Sequence, residues 1–566
     1  MKKYFQQISQ QFSKNSTRIY LVLANVVLTC FAIWFSNVGL LPFKNLGDFA
    51  FFVILALMFA LYRPGWAFVL FIGSLALENI NLAPSSIGIS LRPYQLFGAL
   101  TLLAVALRHL IGRRVVTLFK LKWYDALPIL FVLSGFLSGL GAANRGLSLK
   151  QALIAASFVA LYFLVRVYVQ SFADLGKIAL FFLSSGVVVV CYSIWQNIRF
   201  SSGFKSFETM PGRPNGTFSE PDWLGIYLTF LLASLLVWLF YVSKNHNEKE
   251  SRLILNFKFE ILNQFFNVQI FKKVVVYIFI TLVTIALILT VSRSAWIGAV
   301  LIALGFLKIV LLYGEKESQV TGRSGKFWQS VMFDLKRPWN WKGFSKSSGF
   351  LVGIFAISVG AIFVFHLTTF QLGSRVQSTG GLQKITIACQ GGLDVAVPQK
   401  INNVEELANY QCWHINLEDI EKEKKLGSIV QEVYRSDPNV GIRGKIYRTA
   451  FEQIKKHPIV GIGWGSVSTI LGTDERGTGL NASNIFLDSW LGAGLLGLLA
   501  FSVLLGYVFV FAYLKFVKSQ GTEIASTFVI FGVFAIFVPN LFNSGIFLGF
   551  VWVFLAIAVS LLADTK

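Results

Sequence analysis

The chain has 566 residues, of which 55% are hydrophobic and only 14% charged, and its mean hydropathy is +0.64. That balance excludes a soluble enzyme of this length, and apolar stretches of about 18–22 residues recurring along the chain read as transmembrane helices. The formal charge of +22 does not argue for nucleic acid: no aromatic-basic binding module accompanies it, and the basic residues gather in certain inter-helix loops, as the positive-inside rule expects.

The start, "MKKYFQQISQQFSKNSTR", is polar and basic. The apolar run after it is long enough to span, so it reads as a retained anchor and not a cleaved signal. Apolar runs and their breaks then predict spans near 19–41, 47–62, 65–80, 94–111, 125–142, 150–168, 175–196, 222–242, 274–291, 294–313, 349–367, 484–514, 523–542 and 545–562. In lipid every backbone polar group needs an internal partner, so these segments imply a helical bundle. The expected fold is an all-α polytopic membrane protein of twelve to fourteen transmembrane helices, the lower count allowing for short re-entrant segments.

Basic clusters occur at 2–18, 112–122, 244–273, 314–348 and 515–518. Alternate counting of the spans puts all five on one side, the cytoplasm, with both termini there. The opposite side receives 197–221, the tight turn holding Arg293, and the long segment 368–483. The expected organisation is a cytoplasmic N-terminus (1–18), a helix bundle (19–367), a large extracytoplasmic loop (368–483) and C-terminal transmembrane helices (484–566).

Within the large loop, "NLEDIEKEKKLGSIVQEVY" (416–434) reads as helical. "GIRGKIYRTAFEQIKKHP" (441–458) places Ile442, Ile446, Ala450 and Ile454 on one stripe, with Lys445, Arg448, Glu452 and Lys456 elsewhere on its surface, and Pro458 ends it. It reads as an amphipathic lid lying apolar face down on the membrane surface; a small soluble cap over the bundle is the alternative. Cys30 and Cys191 fall inside spans as packing residues. Cys389 and Cys412 share the large loop, where a disulfide is open to them if the loop lies outside the membrane. No CxxC or HExxH pattern is present, so no metal site is expected.

Three outward positions carry chemistry. "MPGRPNGTFSEPDWLGIYL" (210–228) sets Arg213 beside Glu220 and Asp222 just before a span; Ser219 or Asp222 would serve as a helix cap, which leaves the arginine unexplained. "LTVSRSAWIG" (289–298) puts Arg293 at the turn of a helical hairpin, where snorkelling is the bland explanation. Arg443 and Arg448 sit on the loop helix. Basic groups at one face suit an anionic ligand, because the planar guanidinium binds phosphate oxygens bidentately.

The segments "GRPNGTFSEPDWLGIYLTFLLASLL", "LILTVSRSAWIGAVLIALG" and "GIRGKIYRTAFEQIKKHPIVGIGWGSV…NASNIFLDSWLGAGLLGLLAF", in this order, resemble the O-antigen ligase and polymerase-like superfamily of bacterial membrane glycosyltransferases. The resemblance spans roughly 150–562 and is weakest before 205. It implies a metal-independent, cofactor-free transferase of the C-type glycosyltransferase class in the inner membrane. Its expected donor is an undecaprenyl-diphosphate-linked glycan, its acceptor a glycan, lipid or protein hydroxyl, and its other partners the bilayer and polysaccharide-export proteins, with no nucleic acid. By that resemblance Arg213, Arg293 and Arg443 fall on arginines that hold the diphosphate, with Arg448, Asn484 and Ser483 in the same region. Ligase members carry a histidine before the asparagine that opens the next helix; here Ser483 precedes Asn484. Serine alone is no general base, and "GTFSEP" is similar to the polymerase members, where Glu220 would accept the proton or bind a sugar hydroxyl. His457, in the turn that ends the loop helix, reads as structural. Polymerase is therefore favoured over ligase. A transporter, or a non-catalytic relative in polysaccharide assembly, are the other readings; a transporter predicts ionisable residues near the bilayer midplane.

Overall fold

In the computed structural model the described residues are 2–113, 119–210, 212–244, 268–313, 339–367, 382–390, 397–402, 404–415, 420–436, 438–472 and 479–563. In chain order the bundle helices are α1 (Lys2–Asn37), α2 (Leu46–Tyr62), α3 (Pro64–Gly73), α4 (Pro93–Leu110), α5 (Ala126–Leu140), α6 (Arg145–Tyr168), α7 (Phe172–Ser201) and α8 (Pro221–Lys244). They continue with α9 (Val268–Leu289), α10 (Arg293–Tyr313) and α11 (Trp341–Val364). Every expected span up to this point overlaps one of them. Their starts carry the signals that local chemistry requires. Prolines open α3, α4 and α8, where a missing N–H costs nothing. The side chains of Asn144, Ser171 and Asn340 accept the N–H of Leu147, Asp174 and Gly343.

The large loop contains a four-stranded sheet, β1 (Leu382–Cys389), β2 (Lys400–Ile401), β3 (Cys412–Ile415) and β4 (Ile429–Ser436), in the order β2-β4-β1-β3. β1 pairs antiparallel with β4 along its whole length and with β3 on its other edge, bringing Cys389 opposite Cys412, and the two form a disulfide. The helix expected over 416–434 is corrected. Among the described residues only α12 (Ile420–Lys425) is helical, Gly427 turns the chain at φ 84°, and Ile429–Ser436 is strand. Its β-branched Ile429, Val430 and Val433 suit an extended backbone with a partner on each side, and Val433 is buried with Ile385, Ile387 and Ile401.

The loop helix is observed as α13 (Pro438–Lys456), followed by α14 (Trp464–Leu471), and the chain closes with α15 (Ile485–Lys518), α16 (Ile524–Asn540) and α17 (Gly549–Ala563). Ile446, Ala450 and Ile454 are buried and Lys445, Arg448, Glu452 and Lys456 exposed, as the stripe predicts; the side chain of Ile442 lies outside the described set. What covers the stripe differs from expectation. Ala450 and Ile454 pack on Ile462, Val467, Ala482 and Leu491, so the chain's own α14 and α15 receive the apolar face that was expected to meet lipid.

Eight of the described helices are long and apolar enough to cross a membrane, and five shorter apolar helices of 10–17 residues lie among them. With α4, they account for all the expected spans. Composition also sorts centre from rim. Nearly all of the apolar stretch of α8 is buried, as are Gly549 to Leu562 of α17, whereas α1 and α11 bury only 17% of theirs. A helix apolar on all sides belongs in a core or in lipid; α8 and α17 take the core. The exposed Leu23, Val27, Phe31 and Trp34 of α1 and Val352, Phe355 and Ile357 of α11 form the lipid-facing rim.

Among the described residues, loops at each end of the bundle are joined by hydrogen bonds and ion pairs. At one end Phe43 N–H donates to Leu82 C=O, Asn79 N–H to Thr217 C=O and Asn144 N–H to Ser466 Oγ. At the other, Tyr241 Oη donates to the Gly521 carbonyl, Lys515 pairs with Glu523 at 2.7 Å, and Asn340 N–H meets Leu311 C=O.

Helix α15 is broken once, at Gly494 (φ 69°, ψ −174°). The break leaves main-chain groups that membrane depth does not forgive. The segment 459–462 satisfies them: Leu495 N–H donates to Ile459 C=O at 2.9 Å and Ile462 N–H to Leu491 C=O at 2.7 Å. A Cβ on Gly494 would come within 2.2 Å of the Ile459 carbonyl oxygen. Gly494→Ala is therefore expected to destabilise the protein by about 1–3 kcal/mol from backbone strain, and more from the clash. Thermal melting of detergent-purified protein checks this, and an unchanged midpoint would contradict the close packing of 459–462.

Candidate active site

At the end opposite Lys515, the turn from 541 to 548 joins α16 to α17 and is the meeting point of the site. A helix end leaves carbonyls without partners, and here side chains from distant segments supply them. Asn484 Nδ2 donates to Leu541 C=O at 3.0 Å, and Arg443 Nη2 to Phe542 C=O at 3.4 Å. Asn543 Nδ2 donates to Ser294 Oγ at 2.8 Å, and Ser544 Oγ to the buried Asp488 carboxylate at 2.6 Å. Arg92 Nη1 reaches the Phe547 carbonyl at 3.5 Å while its Nε pairs with Glu78 at 2.9 Å, and Tyr94 Oη donates to the same carboxylate.

Arg213 arrives from the segment before α8. Its Nε donates to the Thr290 carbonyl at 2.9 Å, and its Nη2 meets Asp222 at 3.3 Å. Thr290 ends α9, so Arg213 is held three residues ahead of Arg293, the first residue of α10. The turn between them holds Val291 in the left-handed region at φ 52°, although it is β-branched and buried. Such a residue costs on the order of 1–3 kcal/mol and persists only where its surroundings over-determine it. Gly225 of α8 makes the approach possible: a Cβ there would meet Ala295 at 2.7 Å and Ser292 at 3.2 Å.

The structure thus joins Arg213 to the hairpin turn of Arg293, and joins that turn, through Ser294 and Asn543, to the segment touched by Arg443 and Asn484. Asn484 also caps α15, its Oδ1 accepting the N–H of Phe486 and Leu487. Ser483, just before it, has φ 49° and donates its N–H to Asn481 Oδ1 at 2.8 Å. The Glu220 main-chain carbonyl accepts from Trp223 and Leu224 at the start of α8, and the residue is half-buried. Arg448 stands apart from these contacts. It is exposed on α13, away from the stripe that packs on the bundle. His457 continues the α13 main-chain ladder, accepting from Gly461 N–H.

Sequence reasoning missed the 541–548 turn, the Glu78–Arg92–Tyr94 cluster and Glu208. The first had a signal in "NLFNSG", polar residues in a short gap between two apolar runs. Glu208 had none, because burial sets its character. Its Oε2 accepts Gly212 N–H at 3.0 Å, one residue before Arg213, and its Oε1 is buried with no hydrogen-bond partner among the described residues. Burial pushes the carboxyl up to about 7, against the opposing hydrogen bonds from Gly212 and Ser206. Among the described residues no group of three or more His, Cys, Asp or Glu is placed to hold a metal ion.

A carboxyl whose value rises on folding holds its proton in the native state, so stability is greatest below the unfolded value of 4.5 and falls as pH climbs to about 7. Glu208→Gln keeps the acceptor for Gly212 and removes that titration. Its melting temperature is expected to vary less than the wild type's between about pH 5 and pH 8, and to exceed it at the upper end. Parallel pH profiles for the two proteins would refute the assignment.

Residues 277–502 match a family model described as O-antigen ligase. A search of curated proteins gave no match. The matched span runs from α9 into α15 and includes Arg293, Arg443, Arg448, Ser483 and Asn484, while Arg213 and the 541–548 turn come to it from outside through the contacts described above. Residues 277–502, carried on a bundle of membrane-crossing helices, are thus similar to the O-antigen ligase family, and the match supports an O-antigen ligase or polymerase-like protein.

Proposed function

We propose that the chain transfers a glycan from undecaprenyl diphosphate to an acceptor hydroxyl at the extracytoplasmic face of the bacterial inner membrane, with both termini in the cytoplasm, and that it acts as a polymerase. The observation that carries this reading is the convergence of Arg213, Arg293 and Arg443 on two adjoining turns, 290–294 and 541–548. The donor's diphosphate lies against these guanidinium groups, its lipid tail among the helices. The acceptor oxygen attacks the anomeric carbon, the bond from that carbon to the diphosphate oxygen breaks, and undecaprenyl diphosphate departs with the electron pair. Glu220 takes the acceptor's proton or orients its hydroxyl.

Departing diphosphate gathers negative charge, and cations fixed before the reaction lower that barrier without reorganising. Pre-organisation here is physical: Arg213 is clamped by a carbonyl and a carboxylate, and the strained turn at Val291 sets the start of α10. Ser483 in place of a histidine favours polymerase over ligase. The transporter reading draws less support, since the buried Arg166–Asp125 pair, at 3.2 Å, joins the ends of α6 and α5 and not their middles.

Incubation of the purified protein with an undecaprenyl-diphosphate oligosaccharide tests the reading. A ladder of extended chains is expected; single transfer to an added lipid or protein would mean a ligase, and no turnover with either would favour a non-catalytic assembly role. Arg213→Ala, Arg293→Ala and Arg443→Ala should each lower the rate roughly 10²-fold or more, as loss of one charge-stabilising donor does elsewhere. Arg448→Ala should stay near wild type. Correctly inserted Arg213→Ala and Arg293→Ala proteins that polymerise at full rate would defeat the mechanism.

A further inference from the structure

At the end of the bundle away from the arginines, a groove of about 1600 Å³ opens between α10, α15 and α16. Its walls are apolar, built from Leu301, Gly305, Phe531 and Phe534, with Tyr513 and Trp339 among the residues that line it. One charged residue lines it as well. Lys308 is the single ionisable side chain with a formal charge from Ser294 to Tyr313. It lies five residues before the end of α10, about 7–8 Å by the helical rise. It is exposed, and among the described residues no carboxylate pairs with it.

A lysine in such a helix carries a cost that an unoccupied apolar wall does not repay. Snorkelling alone would bring its ammonium to the surface with no need for a groove beneath it. The groove and the cation together have the two parts of one ligand: apolar length along the helices, and a positive charge where a phosphate sits at the membrane surface. Exposed Trp339 and Tyr513, half apolar and half polar, occupy the same level. We propose that this groove holds an acyl chain of an anionic glycerophospholipid, with its phosphate paired to Lys308. The site is separate from the arginine cluster and independent of the glycosyl-transfer reading.

Gly305 provides a way to fill it. A Cβ there would lie 3.5 Å from the Phe531 ring, an ordinary contact, so Gly305→Leu projects into the groove without striking backbone. Delipidated full-length protein would be incubated with equimolar phosphatidylglycerol and phosphatidylcholine and examined by native mass spectrometry. The wild type should retain phosphatidylglycerol about fivefold better, as one basic group near an anionic headgroup supports. Lys308→Gln should lose that preference, Lys308→Arg should keep it, and Gly305→Leu should lower retention of both lipids. Equal retention of the two lipids by the wild type, or an undiminished preference in Lys308→Gln, would overturn the proposal. The melting midpoint of each variant separates misfolding from loss of the site, and because no readout involves glycan transfer, failure here leaves the transferase reading standing.

Discussion

The need to satisfy the main-chain carbonyls of the 541–548 turn organises this end of the molecule. In a membrane protein an unpartnered carbonyl near the hydrocarbon is costly; Trp552 of α17 donates to the Ile546 carbonyl and Asn540 of α16 accepts from Gly545, and distant segments supply further partners. Asn484, Arg443 and Arg92 reach its carbonyls, and Asn543 and Ser544 reach outward to Ser294 and Asp488. Four separate parts of the chain are thereby tied to one short turn. Arg443 and Arg92 are thereby held at the turn by its carbonyls, and Arg213 by that of Thr290 in the adjoining turn.

The core makes that register rigid. α17 follows the turn directly and is buried along its length, packed with α8, whose N-terminal approach carries Arg213. Movement of the turn would drag a helix through close-packed surroundings; Gly549, at its start, has the Tyr94 ring within 2.4 Å of where a Cβ would be. A site held this way offers fixed positive charge to a leaving group at little reorganisation cost. The large loop adds a different kind of element. Its sheet is locked by the Cys389–Cys412 disulfide, and α13 descends from it to place Arg443 at the turn.

Much of this was legible along the chain. Fourteen apolar runs became helices at nearly the expected places. Arg213, Arg293 and Arg443 stood out because a cation between apolar segments is rare enough to need a reason. Less legible was 416–434, where Glu and Lys at helical spacing outweighed the β-branched Ile429, Val430 and Val433. Pairing with β1 decided that segment, and β1 lies some forty residues away. The α13 stripe was read correctly as apolar but assigned to lipid, since periodicity shows that a face is covered and not what covers it.

Hydropathy belongs to each residue wherever it sits, and it sums along the chain, so the sequence by itself determined the helices. Hydrogen-bond partners and burial depend on what else arrives at the same point. Only the tertiary structure decided that Arg213 reaches the carbonyl of Thr290 and that Glu208 is left with a buried oxygen unpartnered among the described residues. It likewise decided that Arg448 faces away, and that an eight-residue turn near the end of the chain collects the rest. Those outcomes follow from which residues the fold brings together, such as Arg213 and Thr290, 77 positions apart, which no local pattern encodes.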